Sequence, residues 1–233
     1  MTTQTGERWS RWGGDLLLLF AAADLVSISV AQMAAAGMAL CVIALHRTTR
    51  RPFDGSPLLW PLALFAGASL LSALFSHDPA ESLKDSKDLL HMAIFFAAYR
   101  LFADDPSLAP RAFRFMGAAG LAMAAVGFGQ ALARGIDLAD RISGFNDMYM
   151  TYAGLQMLAI VAVTAVILFD RCGRRDLWLG VSLLFMGGAT LLSLTRNAWI
   201  GAGLGMATVG GLRKPAALLA LPFVALALYA AAP

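Results

Sequence analysis

The stretch DLLLLFAAADLVSISVAQMAAAGMALCVIAL, residues 15–45, decides the fold class of this chain. At 1.5 Å per residue, a single helix of this length would extend about 46 Å, whereas the hydrocarbon core of a bilayer is about 30 Å thick. The polar side chains of Ser27, Ser29 and Gln32 mark a break near its middle. The stretch therefore predicts two membrane helices, 15–28 and 31–46.

Further apolar segments follow along the rest of the chain. They are residues 58–75, 88–103, 112–133, 148–169, 177–194, 197–212 and 215–232. Hydrophobic residues make up 59% of the sequence and charged residues 14%, whereas soluble domains average about 45–50% and about 25%. Because no polar linker divides the segments, we predict an all-α, polytopic transmembrane bundle of about nine helices in one domain, residues 1–233.

The distribution of basic residues predicts the orientation of this bundle. Of the 18 Lys and Arg residues, all but five fall in the N-terminal segment or in alternate loops that would share its side of the membrane. The five exceptions are Lys84, Lys87, Arg134, Arg141 and Arg196. Short cytoplasmic loops are enriched in Lys and Arg, so the N-terminus is expected in the cytoplasm. The segments 76–87 and 134–147 and the turn at residues 195–197 would then face outwards.

Two of the outward-facing arginines are candidates for binding an anion. Arg141 begins the stretch RISGFND, and Arg196 lies in SLTRNAW, between two predicted helices. Because a guanidinium presents a planar fork of donors to phosphate oxygens, the two would suit a diphosphate. The alternative is that each side chain extends to lipid headgroups at the membrane surface.

Residues near these arginines are candidates for lining the same site. Gly144 would permit a tight turn after Arg141. Asn146 and Asp147 stand in a setting typical of a helix N-cap, and a ligand contact is the alternative for Asp147. His91, expected one turn inside helix 88–103, is either a proton acceptor or a buried, hydrogen-bonded histidine. The sequence shows no metal-binding motif, nucleotide-binding loop or nucleic-acid-binding face, and we expect no cofactor.

Three segments, in this order and spacing, resemble the O-antigen ligase and polymerase superfamily of bacterial envelope polysaccharide enzymes. They are LLSALFSHDPAESLKDSKDLL (70–90), RISGFNDMYMTYAG (141–154) and LLSLTRNAWIGAGLG (191–205). The first is similar to the family's outer loop with a basic residue before a helix, here Lys87. The second carries Arg-x-x-Gly, and the third a Ser/Thr-Arg turn between two helices.

The resemblance implies a multispanning glycosyltransferase of the bacterial inner membrane that works on the periplasmic face. Its donor would be a glycan linked to undecaprenyl diphosphate. A ligase transfers this glycan to lipid A core, whereas a polymerase transfers it to a second lipid-linked glycan. Arg141 and Arg196 match the arginines that hold the donor diphosphate in the family. Fixed positive charges there would stabilise the leaving group without a metal.

The chain departs from the family pattern in two places. Many relatives carry His or Pro-Asn after the Arg-x-x-Gly stretch, where this chain has Asn146-Asp147. In the family a large periplasmic loop follows these helices and carries the histidine proposed as general base. We expect that histidine beyond residue 233, so the catalytic base is unknown and the chain is expected to be a truncated form of the family architecture.

Two interpretations from other functional classes remain open. A transporter would be expected to show internal repeats and broken helices near the membrane midplane, and no convincing repeat is found in the sequence. A non-catalytic membrane scaffold is the second alternative. Formation of a covalent glycan product would separate the enzyme from both of them.

Overall fold

The computed structural model describes residues 2–49, 58–135, 141–146, 148–170, 173 and 176–215. Within them the chain is helical and contains no strand. In chain order the α-helices are α1 (Thr2–Ala23), α2 (Ile28–Thr49), α3 (Leu59–Leu74), α4 (Pro79–Asp85), α5 (Met92–Asp104), α6 (Leu108–Arg134), α7 (Tyr149–Phe169), α8 (Leu177–Leu192) and α9 (Arg196–Arg213), and the 3₁₀ helix Ser86–His91 lies between α4 and α5. The predicted all-α class is confirmed.

The predicted break in the first apolar run is also confirmed. α1 ends at Ala23, and the turn of residues 24–27 leads into α2 at Ile28. Two details of the prediction were wrong, because the break comes a few residues earlier and α1 begins at Thr2, within the polar N-terminal segment. The predicted helix 215–232 lies almost entirely outside the described residues.

The segment 76–87 was predicted as a loop and instead contains α4. Asp78 is the N-cap, its carboxylate accepts the Glu81 N–H at 3.2 Å, and Pro79 occupies the first turn. Asp or Asn at the N-cap followed by Pro favours the start of a helix, which hydropathy alone does not reveal. Because the 3₁₀ helix follows α4 directly, α5 begins only at Met92, and His91 is not inside it.

Three helices of the described chain are long and apolar enough to cross a membrane. They are α2, α6 and α7, with 22, 27 and 21 residues. Helices α3 and α8 are apolar but shorter, with 16 residues each. By length and composition, the chain thus has the helices of a membrane protein.

The chain divides into two compact units, and the division passes through α1 and α2. The first unit comprises Met1–Leu17 and Met33–Leu108. Its core joins the start of α1 to α2 and α5 through buried apolar side chains of Leu17, Met38, Val42, Ala97, Leu101 and Leu108. Gly13 of α1 lets these helices approach closely, since a Cβ there would lie 2.9 Å from a Leu101 methyl group.

The second unit comprises Leu18–Gln32 and Ala109–Pro233, and its core is formed mainly by α6–α9. The largest fully buried side chains there include Tyr152, Met123, Leu179 and Met186. Buried Gln156 ties α7 to α6, because its side-chain amide donates to the Gly120 carbonyl at 3.0 Å. α7 is thus the central helix of this unit.

Candidate functional site

Helices α7 and α9 run parallel, with their N-termini at the same end. Gly201 of α9 faces Met157 of α7, and Gly205, one turn later, faces Val161. At the other end the Arg213 guanidinium donates to the Leu168 carbonyl. Facing residues of α7 and α9 therefore differ by 44 or 45 in sequence number from one end of the helix pair to the other. The two glycines have the spacing of small residues that lets helices pack closely, and a Cβ at either would overlap its partner.

Within the described part of the chain, neither helix N-terminus in this pair is capped by a side chain. The N-cap residues are Met148 for α7 and Thr195 for α9, and neither makes a side-chain cap hydrogen bond. The first backbone N–H groups of a helix lack intrahelical partners and carry a partial positive charge. Two parallel N-termini therefore contribute partial positive charge at this end of the unit, an arrangement suited to an anion.

Arg196 is the first residue of α9 and is exposed. It forms no ion pair with a carboxylate of the described residues. The three-residue turn before Arg196 is tightly held, because the buried Ser193 hydroxyl donates to the Thr190 carbonyl at 2.7 Å. Leu194 adopts a left-handed φ of 53°, which is unfavourable for a residue with a branched side chain. The predicted tight turn is therefore present but lies at residues 193–195 rather than 195–197, because Arg196 and Asn197 already belong to α9.

Arg141 lies at the same end of the unit. Its guanidinium carbon stands 4.7 Å from the ring centroid of Tyr149, the first residue of α7. The 44-residue offset places Arg196 level with Tyr152, three residues from Tyr149, or about 4.5 Å along the helix axis. The structure thus brings both arginines to one end of the α7–α9 pair.

The side-chain amide of Gln130 on α6 holds the segment that carries Arg141. Its oxygen accepts the N–H groups of Ser143 at 3.0 Å and Gly144 at 2.9 Å, and its nitrogen donates to the Gly144 carbonyl at 2.8 Å. Sequence reasoning missed this residue. A lone amide in the apolar segment VGFGQALA was the available signal, because polar side chains in such segments are rare and functional.

Gly144 is required by geometry, as predicted. Its φ is +62°, and a Cβ at this position would lie 2.5 Å from two ring carbons of Tyr152. Gly127 of α6 lies against the phenol end of the buried Tyr152 ring. The turn after Arg141 is therefore packed directly against α7.

The prediction that Asn146 stands at a helix N-cap was wrong, because Met148 occupies that position. Asn146 instead lies in the turn, where its backbone N–H donates to the Ser143 carbonyl at 3.0 Å. Its side-chain nitrogen is buried and has no acceptor within the described part of the chain. Asp147 lies outside the described residues.

Lys87 and His91 belong to the first unit, in the 3₁₀ helix Ser86–His91. Both side chains are exposed. The interpretation of His91 as a buried histidine inside a helix was therefore wrong. That Lys87 and His91 line the same site as Arg141 and Arg196 stays a prediction.

An apolar cavity of about 450 Å³ lies between α7, α8 and α9. On α9 it is lined by Trp199, Ala202, Gly203 and Met206, which begin one turn after Arg196 and share one helix face. The Trp199 indole N–H donates to the Thr190 carbonyl at 2.8 Å and fixes the ring at the cavity wall. An apolar space thus extends from the level of Trp199 down the helix pair, away from Arg196.

The searched parts of the chain contain no cluster of three or more His, Cys, Asp or Glu side chains that would hold a metal ion. No protein-family model, curated protein or solved structure matches this chain.

Proposed function

We propose that this chain is a multispanning protein of the bacterial inner membrane that binds a glycan linked to undecaprenyl diphosphate and acts as an O-antigen ligase-like glycosyltransferase. The observation that carries the proposal is the convergence of Arg141, Arg196 and two helix N-termini at one end of α7 and α9. A polyprenyl diphosphate has an anionic head and an apolar chain. The positive end suits the head, and the cavity beginning at Trp199 suits the chain.

In this proposal the arginines act on the leaving group. Transfer forms a bond from an acceptor hydroxyl to the anomeric carbon of the glycan and breaks the bond from that carbon to the diphosphate oxygen. The acceptor loses its proton to a base, and undecaprenyl diphosphate departs with the electron pair. Guanidinium groups and helix N-termini fixed around the diphosphate stabilise the charge that develops on it.

The acceptor in this proposal is lipid A core. The alternative within the same chemistry is a polymerase, whose acceptor is a second lipid-linked glycan. Both would use Arg141 and Arg196 in the same way. The products distinguish them, because ligation yields glycan on lipid A core and polymerisation yields longer lipid-linked chains.

The test is glycan transfer in bacterial membranes containing the full-length protein. Arg141→Ala and Arg196→Ala should each abolish transfer while protein levels in the membrane stay normal. Lys substitutions should restore only part of the activity, because an ammonium lacks the planar fork of donors. Arg111→Ala is the matched control, since Arg111 is exposed near the start of α6, far along that helix from Gln130.

Normal transfer by both alanine variants would contradict the role of the arginines. Movement of the lipid-linked glycan across liposome membranes without a covalent product would favour a transporter. Absence of both activities, with the lipid still bound, would favour a scaffold.

A further inference from the structure

A second cavity, of about 770 Å³, lies entirely within the first unit. One of its walls is α3, and the other is formed by α4, the 3₁₀ helix and the start of α5. On α3 the lining residues share one helix face: Leu62, Phe65, Ser69, Ser72 and Ala73. Ser76 continues the lining just after the helix ends. The volume is typical of a site for a small ligand.

The polarity of this wall changes along α3. The first two lining residues, Leu62 and Phe65, are apolar, whereas three of the next four carry hydroxyl groups, Ser69, Ser72 and Ser76. Successive positions on the face are separated by about 5 Å along the helix axis. The cavity is thus apolar at the level of the first turns of α3 and hydroxyl-lined where α3 ends.

The opposite wall changes in the same direction. Ser82 of α4 meets the end of α3, because its Oγ lies 2.8 Å from Oγ of Ser76. Asp85 and Ser86 line the same level of the cavity, and Ser86 donates its hydroxyl to the Ser82 carbonyl at 2.9 Å. Farther along this wall the lining becomes apolar except for His91, with the side chains of Leu89, Met92 and Phe95. Both walls therefore offer polar groups at one end and apolar groups at the other.

We propose that this cavity binds a lipid whose headgroup is rich in hydroxyls and carries no phosphate, as in a simple glycolipid. Serine hydroxyls both donate and accept hydrogen bonds, and the Asp85 carboxylate accepts them, which matches a sugar ring. Among the described residues the cavity lining contains no Arg or Lys, and the Asp85 carboxylate would repel a phosphate. This preference for an uncharged headgroup is the opposite of the preference for an anion proposed for Arg141 and Arg196 in the second unit. The proposal does not rest on the glycosyltransferase function.

The test uses the full-length protein in phosphatidylcholine nanodiscs and a dodecyl maltoside probe with a photoreactive group on its chain. Cross-links should saturate and map to peptides within residues 62–95. Unlabelled dodecyl maltoside should compete at least ~10-fold better than dodecyl phosphate, because the headgroup charge opposes the latter. Non-saturable labelling, sites elsewhere in the chain, or preference for the phosphate would each overturn the proposal.

Two variants and a control extend the test. Ser69→Leu combined with Ser72→Leu should remove the saturable labelling, because it fills the cavity with apolar groups. Ala68→Leu, an exposed neighbour outside the lining, should keep it. Asp85→Lys places a positive charge on an exposed position and should shift the preference towards dodecyl phosphate. Unchanged labelling in the double variant, or an unchanged preference in Asp85→Lys, would contradict the proposal.

Discussion

At the scale of single residues, the segment holding Arg141 is ordered by groups that the sequence barely marks. Gln130 makes three hydrogen bonds to Ser143 and Gly144, and Tyr149 lies beneath the Arg141 guanidinium. The arginines themselves were predictable, because they lie in segments predicted to face outwards, whereas most of the other basic residues lie in segments predicted to face the cytoplasm. Gln130 and Tyr149 were not predictable as residues that hold this segment, because they contact it only after distant parts of the chain have folded together.

Replacing Gln130 by Leu should weaken binding of undecaprenyl diphosphate. Each lost hydrogen bond contributes about 1 kcal/mol, and the backbone groups left unpaired add to the cost. We therefore expect roughly a tenfold or greater loss in affinity, measured by lipid titration in nanodiscs. Gln32→Leu, at an exposed position of α2, is the control and should bind normally. Wild-type affinity in Gln130→Leu would show that Arg141 does not depend on this support.

Gly144→Ala and Gly135→Ala separate backbone strain from steric overlap. Both glycines have positive φ, +62° and +82°, but among the described residues only Gly144 has a neighbour that a Cβ would meet, the Tyr152 ring. A left-handed conformation costs an alanine about 1 kcal/mol, and overpacking adds about 1–3 kcal/mol. Thermal unfolding in detergent should thus show a clearly larger loss for Gly144→Ala. Equal losses would mean that the Tyr152 contact contributes nothing.

At the scale of elements, the α7–α9 pair sets the geometry of the candidate site. Its glycines could be read from the sequence, since Gly201 and Gly205 have the spacing of close helix contacts. Hydropathy also located most helices to within a few residues. It missed α4, whose start depends on the local chemistry of Asp78 and Pro79, and it could not give the parallel offset of α7 and α9, which arises from side-chain packing between distant segments.

Alanine substitutions along this interface should differ in their effects. A Cβ at Gly205 meets branched Val161, whose side chain is restricted, whereas one at Gly201 meets the flexible end of Met157. Gly205→Ala should therefore destabilise the protein by about 1–3 kcal/mol, and Gly201→Ala by less. Gly180→Ala on α8 has no neighbour within 4 Å and should be neutral or slightly stabilising. The order of unfolding temperatures in detergent tests this packing, and the reverse order would contradict it.

At the scale of the whole molecule, the proposal requires the Arg196 turn to face the periplasm. The basic residues favour this orientation, and α9 then returns the chain to the cytoplasmic side at Lys214. In a variant lacking Cys41 and Cys172, Asn197→Cys should react with a membrane-impermeant maleimide in cells with a permeabilised outer membrane. Lys214→Cys should react only after the inner membrane is lysed. The opposite pattern would contradict the orientation.

Arg141 and Arg196 are proposed to bind a diphosphate at one end of α7 and α9. The most direct measurement compares the affinities of the purified protein in nanodiscs for undecaprenyl diphosphate and for undecaprenol, which has the same chain without charge. Charge-assisted hydrogen bonds contribute about 1.5–3 kcal/mol each, so the diphosphate should bind at least ~10-fold more tightly. Arg141→Ala and Arg196→Ala should each remove most of this preference, and Arg111→Ala should keep it. Equal affinity for the two lipids, or an undiminished preference in both arginine variants, would contradict the account.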